Sequence, residues 1–199
     1  MFRCAIMFFA IVAVLLAQDL PARRGLGEIL EDPDPPREAV IIAGPGFSAS
    51  SLKELVDKSE VIVVGTAEKA VGRLRPNSNT IETDVFVLIS RVLKGTESKD
   101  KRLIVEQVGG TWKDRTLVPL TTRLLKPGDT YVFFLQRDRR PIPLPVVPDT
   151  NRYIMLNDGN GMFQVKEGKV QIGESAPTIR QHHGEDLDTV LSAVRAGMN

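Results

Sequence analysis

Strand-like runs recur along most of this chain with no helical pattern between them, and that order restricts the fold more than any other feature. The runs are Val61–Gly65, Thr80–Leu93, Leu103–Val105, Tyr131–Leu135 and Tyr153–Leu156, followed by a hairpin in which Phe163 and Val165 face Val170 and Ile172. β-Branched and aromatic residues fit a pleated, half-buried surface, which is why such runs read as strands. Turn chemistry separates them: Arg73 to Asn79 with Pro76, Lys94-Gly95, Gly109-Gly110, Lys126-Pro127-Gly128-Asp129 and Glu167-Gly168. Gly65 marks a bend or bulge. Strands that do not alternate with helices argue against a parallel sheet. A small closed barrel is the arrangement that best disposes of strand edges.

Helices are expected only at the two ends of this body. Ser51 and Glu54 have capping-box spacing, and Leu52, Leu55 and Val56 form one apolar face. At the other end Leu187, Val190, Leu191 and Val194 follow i, i+3, i+4, i+7 spacing. Glu185, Asp186 and Asp188 stand at its start, Arg195 in its last turn and Gly197 after it. That helix is expected to pack across the barrel. The fold class is therefore mainly β: a small OB-like antiparallel β-barrel with a short N-terminal helix and a C-terminal helix. It occupies residues 47–199.

Two segments precede the barrel. Residues 1–22 read as a signal peptide or short membrane anchor, because Arg3 is followed by an apolar run from Cys4 to Ala17. That run is shorter than the about 20 residues a bilayer span needs. Cleavage is expected near Ala17 or Ala22. Export to the periplasm, cell envelope or exterior follows as an expectation, with membrane contact only through the leader if it is uncleaved. Residues 23–46 form a proline-rich flexible spacer around Glu31-Asp32-Pro33-Asp34-Pro35-Pro36, with a short edge strand at Ala39–Ala43 before Gly44-Pro45-Gly46.

The order of segments resembles the bacterial netrin-like or TIMP-like OB-fold proteins. A helix runs into Lys58-Ser59-Glu60-Val61-Ile62-Val63-Val64-Gly65-Thr66. A long strand then ends in Val92-Leu93-Lys94-Gly95, and the glycine pair Gly109-Gly110 follows. The aromatic strand after Pro127-Gly128-Asp129, the Tyr153 strand and Gly161-Met162-Phe163 complete the series. The resemblance spans roughly Ser48 to Ile172 and implies fold and export far more than activity. Animal TIMPs reach a protease zinc through an N-terminal cysteine; here Cys4 is the single cysteine and lies in the leader. A protease inhibitor would have to act through rim loops.

Charge and motif content exclude several chemistries. The formal net charge of +1 does not suit a dedicated nucleic-acid or anionic-membrane binder. Arg137, Arg139 and Arg140 read as a charged strand end, and nucleic acid is not an expected partner. No nucleophile elbow or phosphate loop occurs. His182-His183 near Glu185 and Asp186 is short of converging metal ligands and reads as a solvated loop. The oxygen-rich stretch Asp149, Asn151, Asn157, Asp158 and Asn160 fits turn chemistry better than calcium. Glu82 and Asp84 share a strand face and read as solvated.

No catalytic, cofactor or metal residue is assigned, and no cofactor is expected. The expected function is an exported non-enzymatic binding or interaction module, its partner an unknown protein or envelope component. A protease inhibitor and an uncharacterised hydrolase or metal-binding protein are the alternatives. Trp112, in the polar loop Thr111 to Arg115, is either a contact residue or a lid over one barrel end. The candidate partner-binding rim is Trp112, Arg115 and Pro145, the last in the stiff loop between Pro141 and Pro148.

Overall fold

The computed structural model describes residues 38–41, 48–75, 80–119, 122–139, 151–156, 161–173 and 175–198. The leader, most of the spacer and the loop holding Pro145 lie outside these residues. Short strand β1 (Glu38–Ile41) precedes helix α1 (Leu52–Lys58). Five strands form a closed barrel: β2 (Val61–Leu74), β3 (Ile81–Lys94), β4 (Arg102–Val108), β7 (Thr130–Arg137) and β8 (Arg152–Met155). Between β4 and β7 comes a hairpin of β5 (Gly110–Trp112) and β6 (Arg115–Pro119). A second hairpin, β9 (Met162–Lys166) and β10 (Lys169–Ile172), is followed by α2 (Pro177–Arg180) and α3 (Leu187–Gly197).

The barrel closes because β7 pairs with both β2 and β8. The ring order is β2-β3-β4-β8-β7 and back to β2. Counting barrel strands alone, this is 1-2-3-5-4-1, an OB-like arrangement. It is antiparallel except at β4–β8, which is parallel. A parallel pair is unavoidable because an odd number of strands cannot alternate direction all the way round a closed ring.

β2 is longer than the run Val61–Gly65 foretold. It continues to Leu74 against β3, with register shifts at Val64/Gly65 and Ala67/Lys69. A side chain at Gly65 would put its Cβ 2.5 Å from Val87 Cγ1 and 2.9 Å from the Leu88 carbonyl oxygen. Glycine thus lets the strands close up where the sheet curls. Beyond Thr66, β2 leaves β7 and its remaining half lies by β5.

Two cores share the sheet. Inside the barrel, Val63, Val85, Val87, Ile89, Val105, Phe133, Leu135 and Tyr153 are buried. On the outer side of β2, β7, β9 and β10, α1 and α3 cover Ile62, Val132, Phe134, Phe163 and Val170 with Leu55, Val56, Val190, Leu191 and Val194. The period-2 alternation of β7 feeds both: Phe133 points in, Phe134 points to the helices and meets Phe163 with ring centroids 4.9 Å apart. The C-terminal helix therefore packs across the barrel as the spacing predicted. The β9–β10 hairpin has the expected register, Val165 opposite Val170 and Phe163 opposite Ile172. Among the described residues no helix is long and apolar enough to cross a membrane.

Candidate functional site

Among the described residues, three features combine polar groups with the edges of the cores, and they differ in what remains free to act. The first sits on the outer face of β2, β3, β4 and β8. Register places Asp84 opposite Glu106 and Arg73 opposite Glu82. Arg152, from the start of β8, forks onto Asp84 with bonds of 3.0 and 2.7 Å and reaches Glu106 at 3.1 Å. Arg73 bonds Glu82 at 2.6 Å and Glu106 at 2.5 Å, and lies 3.5 Å from Asp84. Arg75 lies 3.5 Å from Glu82.

Glu82, Asp84 and Glu106 are buried, so the solvated reading of Glu82 and Asp84 is overturned. The physical reason is neutralisation: three carboxylates meet three guanidinium groups, which makes their burial tolerable. Asp84 first, then Glu106, holds the Arg152 guanidinium more firmly protonated than usual. All three acids are engaged by arginine, which leaves them poor donors for a metal. Among the described residues no group of three or more His, Cys, Asp or Glu is placed to hold an ion.

The second feature is a barrel-end cluster. The Tyr153 hydroxyl donates to Glu97, Arg137 stands 3.4 Å from the same carboxylate and 3.2 Å from the hydroxyl, and Arg139 pairs with Glu60 at 2.9 Å. Burial, then the Glu97 carboxylate, raises the Tyr153 pKa well above its ordinary value. A phenol locked in this way is neither a nucleophile nor a base near neutral pH. Its geometry is that of a plug.

The third is a groove of about 410 Å³. It exists because β7 forks. The later half of β7 pairs with β8 to close the barrel, while residues 130–133 pair with β9. β9 and β10 thereby carry the sheet past the ring. One face of this extension is packed under the helices. The other face carries Tyr131, Met162, Gln164 and Gln171. The segment 122–126 and the end of β6 run over it, and Val118, Pro119 and Leu124 complete an apolar floor with Tyr131 and Met162.

The rim is polar. Arg123 and Lys126 are exposed, and neither has an ion-pair partner among the described residues. The turn expected at Lys126–Asp129 forms, with Gly128 at φ +91° and the Asp129 amide donating to the Lys126 carbonyl at 3.1 Å. That turn aims Asp129 back at the sheet, where its carboxylate accepts from Gln164 at 2.8 Å and from the Tyr131 hydroxyl at 3.3 Å. Burial is the main cause that raises the Tyr131 pKa.

Of the expected rim residues, Trp112 and Arg115 are brought directly opposite each other, but on a hairpin and not in a loop. Sequence reading missed β5 and β6 because their polar content hides the alternation. Trp112 is half-buried, packing with Leu74 against Ile81 and Leu117, while Lys113 lies 4.3 Å over its ring. Pro145 and the oxygen-rich stretch apart from Asn151 lie outside the described residues, as does Arg140. The two histidines are turned to separate tasks. His182 Nδ1 is 2.8 Å from Glu185, and His183 Nδ1 is 3.1 Å from the Ile172 amide nitrogen.

Sequence reading also missed Arg73, Arg152 and the groove residues. A signal existed for the groove: Gln164 and Gln171 alternate with the apolar Phe163, Val165, Val170 and Ile172 of the last hairpin. That pattern marks one face as polar without saying whether it is open surface or a wall. Comparison with protein-family models returns no match, and neither does comparison with curated proteins.

Proposed function

We propose that this chain is an exported, non-enzymatic binding module that receives its ligand in the groove beside the β7 fork. The observation that carries the reading is the groove itself. It has an apolar floor, a few polar groups at its rim and a volume within the roughly 300–1,000 Å³ usual for small-molecule sites. The ionic row and the barrel-end cluster are internally neutralised, which favours structural roles for them. Export rests on the basic start and apolar run of the leader. Kinship with netrin-like and TIMP-like barrels belongs to the same proposal, on the strength of motif order. The hairpin bearing Trp112 and Arg115 adjoins the groove through β6 and is the second surface offered to an envelope partner.

Two measurements test the reading. Two-dimensional NMR of the purified protein in mixtures of small organic solutes is expected to move the signals of Tyr131, Met162 and Gln171. Unmoved groove signals, combined with turnover in a general hydrolase screen, would replace a binding module with an enzyme. The first residue of the protein recovered from cells is expected to follow Ala17 or Ala22. A cytosolic protein beginning at Met1 removes the export half.

A further inference from the structure

We infer that the groove selects small amphipathic anions: molecules with one negatively charged head group and an apolar body. The inference rests on the groove being the binding site. Its cations set the head group. Arg123 and Lys126 both line it, and among the described residues neither is ion-paired and no carboxylate lines the groove. Asp129, in the adjoining turn, has its carboxylate turned to the Gln164 amide and the Tyr131 hydroxyl. Two exposed cations against the single charge of Asp129 leave the rim net positive among the described residues, and beside a low-dielectric wall that favours an anion over a cation.

The floor sets the body. Val118 and Leu124 offer exposed or half-buried aliphatic surface, and the buried Tyr131 and Met162 lie beneath it, with Met able to adapt to irregular shapes. Val118 is 42% exposed, although it is a large aliphatic side chain on a strand. A hydrocarbon tail laid on it would remove that surface from water. A small molecule suits the site better than a protein surface, because the groove is concave and limited in volume.

The test uses isothermal titration of the full chain with three ten-carbon probes that differ in head group: sodium decanoate, decanol and decyltrimethylammonium. Decanoate is expected to bind at least tenfold tighter than decyltrimethylammonium. The double variant Arg123→Glu, Lys126→Glu is expected to weaken decanoate at least tenfold and to leave decanol unchanged, the loss of one charge-assisted hydrogen bond being worth roughly that factor. Both side chains are exposed, so the variant should melt like the parent. If decanoate and decanol bind equally and the variant changes neither, the anion class is overturned while the groove stands as a site. If no probe binds and the Met162 methyl signal stays in place, the groove reading falls with it. Decanoate binding that leaves Met162 unmoved and ignores the charge reversal also overturns the inference.

Discussion

At Arg152 a guanidinium is held at 3% exposure, and only carboxylates make such burial tolerable. Removing it leaves Asp84 and Glu106 buried with less counter-charge. Arg152→Ala is therefore expected to cost about 3 kcal/mol or more in urea unfolding. Adding Asp84→Asn to that variant is expected to recover part of the loss, because one uncompensated charge goes with it. The tyrosines give a second residue-level prediction. Tyr131 and Tyr153 both have pKa values raised above 10.0, mainly by burial. A phenol that keeps its proton longer when folded contributes stability that is intact below pH 10 and is lost as the pH climbs beyond it. Ultraviolet titration of the native protein should show less tyrosinate at pH 10 than the denatured protein shows. In denaturant both tyrosines should be about half ionised there.

Elements depend on a few such contacts. Helix α1 is short and starts on Ser51, whose hydroxyl accepts from the Glu54 amide at 3.2 Å. Glu54 returns the bond one residue earlier than a capping box would, to the Ser50 amide at 2.8 Å. Ser51→Ala is expected to lower stability by about 1 kcal/mol, read from thermal melts. The β5–β6 hairpin is tied down differently. Gly110 has φ +116°, and a Cβ there would collide with the Thr83 hydroxyl. Gly72 similarly makes room for the Thr111 carbonyl. Gly110→Ala is expected to loosen this hairpin and to shift Trp112 fluorescence well before the barrel unfolds. Fluorescence and far-UV dichroism midpoints that stay coincident would count against that separation.

The whole molecule is two cores on one sheet. β7 supplies Phe133 to the barrel interior and Phe134 to the layer under α1 and α3, so one strand is shared by both cores. Leu191, fully buried on α3, belongs to the helical layer's core. Leu191→Ala is nonetheless expected to destabilise the entire barrel by about 2–5 kcal/mol in a single transition. A separate early loss of helix would show the two layers to be independent.

Much of the fold was legible because its signals are local. Alternation at Phe163 and Val165 against Val170 and Ile172, glycine in the Pro127-Gly128 turn and the heptad-like spacing of α3 act within a few residues of one another. Sequence by itself therefore determined the strand runs, the turns and the two end helices. Tertiary structure alone decided the fate of Glu82 and Asp84: the guanidinium that neutralises Asp84 comes from 68 residues away. It also decided the groove, which arises because one strand divides its hydrogen bonds between two partners. Pairing over such separations is set by closure of the sheet, and no local pattern of side chains encodes it.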